Sequence, residues 1–191
     1  GIGRASALVL AAQGAQLTLL CRNLEKGREV ADEIVKAGGL TPHVILMDMS
    51  RLDSVRSAAT TVLELCQPID VLLNNAGLMN SHRRETVDGY EETLAVNHFA
   101  PFLLTGMLLP AIRSAGRGAR IVNVASGAHK FVKGMQFDDL QSENEFKMFN
   151  VYGRSKLANM LFTRSLAKRL EADRITVTCL HPAPASTRLG R

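Results

Sequence analysis

Short apolar runs of strand length alternate with longer amphipathic segments along this chain of 191 residues, and that alternation leaves few folds open. Gln16 to Cys21, Val44 to Met47 and Ile69 to Leu73 are three such runs. Between them lie helix-length segments, from about Leu24 to Ala37, closed by Gly38-Gly39, and from about Leu52 to Cys66, closed by Pro68. Strand, helix, strand, helix, strand with short connections is the pattern of a parallel sheet covered on both faces. The expected fold is therefore α/β, a doubly wound parallel sheet in one domain over residues 1–191. The remainder continues the pattern. Asp88 to Ser114 reads as one long helix bent near Pro101 and Pro110, Arg120 to Val124 as a fourth strand, Val151 to Leu170 as a helix, and Ile175 to Leu180 as a fifth strand. No internal repeat and no low-complexity segment interrupts it.

Composition narrows the function classes. With 46% hydrophobic and 21% charged residues the chain is an ordinary globular sequence, which argues against disorder. Its formal net charge is +5, but no basic run is interleaved with aromatics, so the charge suits an anionic cofactor and not a nucleic acid. Cys21, Cys66 and Cys179 are far apart and lack metal-ligand spacing, which points to reduced thiols, no metal and a cytoplasmic setting. The longest apolar run, Phe99 to Ile112, is short and carries two prolines, so no membrane span is expected; attachment to a membrane would depend on sequence before Gly1.

Polar residues collect where parallel sheets bind ligands, at the carboxyl ends of strands. Gly1-Ile2-Gly3 precedes a helix, where glycine lets a phosphate approach the backbone. Asn74-Asn75-Ala76-Gly77 follows the third strand, and Ser126 follows the fourth. Asn97 is a polar outlier in an apolar helix and needs buried partners. The long connection Gly127 to Asn150, with Phe131, Phe137, Phe146 and Phe149, leads into Tyr152-Gly153-Arg154-Ser155-Lys156. Four residues is just over one helical turn, so the Tyr152 phenol and the Lys156 ammonium share a face. A cation beside a phenol favours the phenolate, and the expectation is a Tyr152 whose pKa is lowered into acid–base use. The helix that carries them is apolar over a face wider than one sheet contact needs, which suits a second copy in a homodimer.

This ordered set resembles the short-chain dehydrogenase/reductase family, and within it looks most like the retinol dehydrogenase-type members. The likeness covers essentially the whole chain and rests on Gly1-Ile2-Gly3, Asn74-Asn75-Ala76-Gly77, Asn97, Ser126 and Tyr152-x-x-x-Lys156, with Cys21-Arg22-Asn23, Val96-Asn97-His98-Phe99, Tyr152 to Asn159 and the long segment before Tyr152 for the subgroup. The resemblance implies a Rossmann-type domain. It makes Tyr152 the proton donor or acceptor and Lys156 the group that lowers its pKa and holds the nicotinamide ribose. It gives Ser126 the substrate oxygen, and Asn97 a water that relays protons. Gly1, Ile2, Gly3, Asn23, Asp48, Asn75, Ala76, Gly77 and Pro182 become cofactor contacts, with Asp48 at the adenine.

The place of the acid that favours NAD is taken by Cys21 and followed by Arg22, whose guanidinium can pair with a 2′-phosphate, so NADP is expected over NAD. The expected reaction moves a hydride between NADP(H) and a carbonyl or alcohol on a small molecule, with hydrophobic molecules among the candidates. A double-bond reductase of a pigment-like substrate and a cofactor-binding regulatory protein with little turnover are the alternatives. The sequence departs from the family in two places. The family's glycine motif and its first, central strand lie before Gly1, so the 191 residues are expected to be a fragment truncated at both ends. Pro182-Ala183 stands where the family has Pro-Gly.

Overall fold

In the computed structural model, residues 1–65 and 68–182 are described. Five strands alternate with helices as the periodicity predicts. They are α1 (Ile2–Ala12), β1 (Thr18–Cys21), α2 (Leu24–Lys36), β2 (His43–Leu46), α3 (Leu52–Leu65) and β3 (Val71–Asn74). Then come a single turn α4 (Glu92–Leu94), a π-helical turn (Ala95–Phe99), α5 (Ala100–Ser114), β4 (Arg120–Val124), 3-10 turns at Gly127–Phe131 and Phe137–Asp139, α6 (Met148–Arg169) and β5 (Thr176–Leu180). Every strand pair is parallel.

The pairing falls into two pieces. β1 pairs with β2, and β3, β4 and β5 form a second sheet in that order; among the described residues no strand joins β1 to β3. The interruption falls where the family resemblance implies a central strand. Side chains of β1 alternate across the sheet as a pleat requires. Leu19 packs with Ala7, Ala11 and Ile34 of α1 and α2, whereas Leu20 packs on the main core. Helices therefore cover both faces, the doubly wound arrangement.

The main core joins Val55, Ala58 and Ala59 of α3, Leu104, Leu108 and Ile112 of α5, and Ile121 and Val177 of the sheet. Val55, Ile112 and Ile121 are fully buried. Each contributes roughly 1.5–3 kcal/mol. The run Glu92–Ser114 is long and apolar enough to cross a membrane by composition alone, yet 56% of that stretch is buried, as a central core helix is.

Three sequence expectations need correction. Gly1-Ile2-Gly3 is not a loop before a helix; α1 begins at Ile2, with Gly1 as its N-cap. The long helix does not start at Asp88, whose carboxylate instead accepts the Leu52 N–H at the start of α3. The interruption expected near Pro101 lies just upstream of it, as the π-helical turn, and Pro101 itself stands in the first turn of α5. α6 begins at Met148, three residues before Val151. Cys66 and Ala183 lie outside the described residues.

Candidate active site

Tyr152 and Lys156 emerge from α6 and are buried, at 9% and 3% exposure. The Lys156 ammonium lies 5.6 Å from the centre of the Tyr152 ring and donates to the Val124 carbonyl at 3.1 Å. Ser126 follows β4, and its side chain lies near enough to the Tyr152 phenol to favour the ionised form. One helical turn puts Tyr152 and Lys156 on one face, as the spacing predicts, and the carboxyl end of β4 brings Ser126 beside them.

The electrostatics differ from expectation. Burial pushes the Tyr152 phenol up, and the Ser126 side chain opposes that only in part; Lys156 is not among the causes. Burial also pushes Lys156 down from 10.5 to about 8, with the nearby Cys179 acting in the opposite sense. The ammonium is spent on a backbone carbonyl, and two groups in one dry site each resist carrying charge.

Asn97 is more tightly built in than a water-holding role requires. Its Nδ2 donates to the Leu78 carbonyl and to Ser155 Oγ, each at 2.9 Å, and its Oδ1 accepts the Leu78 N–H at 2.8 Å. Ser155 in turn donates to the Tyr152 carbonyl at 2.7 Å. The side chain clips the segment after β3 onto α6. Its backbone carbonyl lies four residues before Pro101, which has no N–H to offer an α-helical bond. Asn159 fills that place, donating from Nδ2 at 2.8 Å, while His98 Nδ1 meets Asn159 Oδ1 at 3.1 Å. Burial lowers the His98 pKa, so the ring is held neutral with its proton on Nδ1. Sequence reasoning missed Asn159. The signal was present, since an Asn four residues before a Pro inside a helix leaves a carbonyl that something must satisfy.

The same logic continues inward. Asn74 is in β3, not in a turn; it donates to Thr105 Oγ1 and Asn123 Oδ1 at 3.1 and 2.8 Å, and Asn123 donates to Thr163 Oγ1 at 2.9 Å. Arg154, between Tyr152 and Lys156, is only 4% exposed. It donates to the Asp139 carbonyl at 3.1 Å and to Ser142 Oγ, and lies in the field of Glu91. Arg154 straps the long connection to the helix of Tyr152. Gly153 explains itself by contact, for a Cβ there would fall 2.7 Å from Val132 Cγ1 and 2.9 Å from the Ala128 carbonyl.

The expected cofactor residues are partly assembled. A Cβ on Gly3 would come 2.8 Å from Asn75 Nδ2, and one on Gly77 would come 3.3 Å from Lys156 Nζ. The absence of a Cβ at Gly3 and Gly77 thus leaves room for the Asn75 amide and for the Asn97 and Lys156 side chains. Ala76 and Arg22 are exposed, and Arg22 makes no ion pair among the described residues. Asn23 is occupied as the N-cap of α2, accepting the Lys26 N–H at 2.9 Å. Asp48 Oδ1 accepts from Ser50 N–H and Oγ at 2.9 and 2.7 Å, shaping the turn after β2. Pro182 stands two residues beyond β5, after His181, and is half-buried. The surplus apolar face of α6 adjoins α5, where the Phe102 and Phe162 rings lie 5.1 Å apart and Phe102 and Leu161 are exposed.

A parallel doubly wound sheet with Ser, Tyr and Lys converging at its carboxyl edge defines a class of α/β nucleotide-binding domain. Comparison with known proteins agrees. The family model described as short chain dehydrogenase matches residues 1–191, and the chain belongs to that family. Mouse Retinol dehydrogenase 14 is 40% identical over 202 residues, and human Retinol dehydrogenase 12 is 41% identical over 192. The whole chain is covered in both cases, and it spans 60% of the length of each relative. A metagenomic short-chain oxidoreductase solved in complex with NADP is 31% identical, with a TM-score of 0.77 over 97% of this chain and 78% of that one.

Proposed function

We propose that this protein is an NADP(H)-dependent oxidoreductase acting on the carbonyl or alcohol group of an apolar small molecule. The observation that carries the proposal is the buried Lys156 ammonium 5.6 Å from the Tyr152 ring, with the Ser126 side chain near enough to the phenol to favour its ionised form. Gly3, Asn75 and Gly77 would hold the cofactor, whose nicotinamide would supply or accept the hydride. The chain's own residues handle the oxygen. In carbonyl reduction negative charge grows on the substrate oxygen, where the Ser126 hydroxyl donates a hydrogen bond and the Tyr152 phenol delivers a proton. The Tyr152 phenol, held protonated by burial, is in the state that reduction needs. Lys156, when protonated, lies close enough to stabilise the phenolate left behind.

The 2′-phosphate is assigned to Arg22, which is exposed at the end of β1 with no carboxylate beside it in sequence. The cofactor titration that tests this follows nicotinamide fluorescence for NADPH and NADH in parallel, in a chain without Trp. NADPH is expected to bind at least about tenfold more tightly, a difference of about 1.4 kcal/mol. Equal affinities would remove Arg22 from cofactor choice. Exposed Phe131, Phe137 and Phe149 on the connection before Tyr152 support an apolar substrate.

A further inference from the structure

The peptide bond that follows Ser126 is held by a histidine ring on each side. Its carbonyl, Ser126 O, lies 2.6 Å from His129 Nδ1 and also receives the His129 backbone N–H at 3.3 Å. Its amide, Gly127 N–H, donates to His181 Nδ1 at 3.0 Å. The two rings therefore carry opposite states at Nδ1. His129 must hold a proton there and His181 a lone pair, so a neutral His181 keeps its proton on Nε2. The rings also come from different elements, His129 from the 3-10 turn after β4 and His181 from the end of β5. The His181 ring packs on Gly127 as well, where a Cβ would lie 3.4 Å from Nε2.

Ser126 itself is extended, with φ −157° and ψ 151°, and its Oγ accepts the Ala128 N–H at 3.2 Å. A crankshaft rotation of the Ser126–Gly127 peptide would break both histidine bonds. We propose that His129 and His181 are positioning residues that clamp this peptide plane, and so hold the extended backbone from which the Ser126 side chain acts beside Tyr152. The clamp acts through Ser126 and rests on the reading of Ser126 and Tyr152 as the pair that handles the substrate oxygen. It joins the carboxyl ends of β4 and β5 beyond their last ladder bond, Ala125 N–H to the Leu180 carbonyl at 2.8 Å.

The test pairs amide exchange with kinetics in His181→Ala and His181→Asn. His181 is exposed, so both variants fold. Asn offers Oδ1 near the place of Nδ1 and keeps the acceptor; Ala does not. In His181→Ala the Gly127 amide, followed by NMR, exchanges at least about tenfold faster, and kcat for NADPH-driven reduction of decanal falls about tenfold with KM for NADPH unchanged. His181→Asn restores both. His129→Ala lowers kcat similarly, and the double variant His129→Ala/His181→Ala is less than additive, as for two groups holding one peptide. Wild-type exchange at Gly127 in His181→Ala, or no rescue by Asn, overturns the clamp. A wild-type protein that does not reduce decanal or any apolar aldehyde defeats the functional reading instead, while the exchange measurement still decides the clamp.

Discussion

The two pieces of the sheet solve different problems. Around β3, β4 and β5 nearly every buried polar group is committed to another. Asn74, Asn97, Asn123, Asn159, Ser155 and Thr163 form linked hydrogen bonds from strand to helix, and the Thr93 hydroxyl is the one buried side-chain atom without a partner among the described residues. Around β1 and β2 the core is small, built on Ala7, Ala11 and Ile34, and Arg22 reaches into solvent. One half holds its polar side chains in place before any ligand arrives; the other presents backbone and charge for a ligand to organise. Preorganised groups are what catalysis of charge development needs, whereas nucleotide recognition tolerates groups that settle on contact.

That contrast can be broken most sharply at Tyr152. Tyr152→Phe is expected to cut turnover by about 10²- to 10⁴-fold while leaving NADPH affinity intact, because it removes a proton and little else. Loss of cofactor binding in parallel would mean that the two halves are not separable. Asn97→Ala should cost stability, about 1–3 kcal/mol for each group it orphans, here Leu78 N–H and C=O, read as a lower melting temperature. A melt within about 1 °C of wild type would show that water replaces the side chain.

Lys156→Met separates charge burial from function. Below pH 8 the lysine is charged in both the folded and unfolded chain, and the folded state bears the full cost of burying it. As pH rises from about 8 toward 10.5 the folded lysine loses its proton first, so that cost is progressively relieved. The variant without cofactor should therefore be more stable than wild type by on the order of 3 kcal/mol near pH 7, with the gap closing toward pH 10.5. A gap that does not depend on pH, measured by urea unfolding, would assign the effect to packing. The smallest effect is expected in the other half. Arg22→Ala should weaken NADPH binding about tenfold, leave NADH binding alone, and shift stability by less than about 0.5 kcal/mol.

The architecture was legible because β4 at Arg120–Val124 and the shared face of Tyr152 and Lys156 follow from strand length and helical pitch, which are local properties. What sequence could not reveal was how charge is spent. Whether the Lys156 ammonium serves Tyr152 or the Val124 carbonyl depends on a strand 32 residues away, so the expected lowering of the phenol's pKa did not appear. Asn74 was grouped with the polar residues at the ligand end of β3, and its buried partners, Thr105 and Asn123, were out of sight at 31 and 49 positions distant. Asn23 and Asp48, read as ligand contacts, also shape their own turns, Asn23 by capping α2 and Asp48 by accepting from Ser50.

Arg154 bears on any attempt to retarget this protein by loop exchange. The residues between Tyr152 and Lys156 look like free spacers, yet Arg154 meets the Asp139 carbonyl and Ser142, while Gly153 leaves room for Val132 and Ala128. A transplanted connection would inherit a helix shaped for the old one. Donor loops should therefore be chosen by whether they can offer a carbonyl and a hydroxyl to that guanidinium, and only afterwards by the shape of the substrate they are meant to admit.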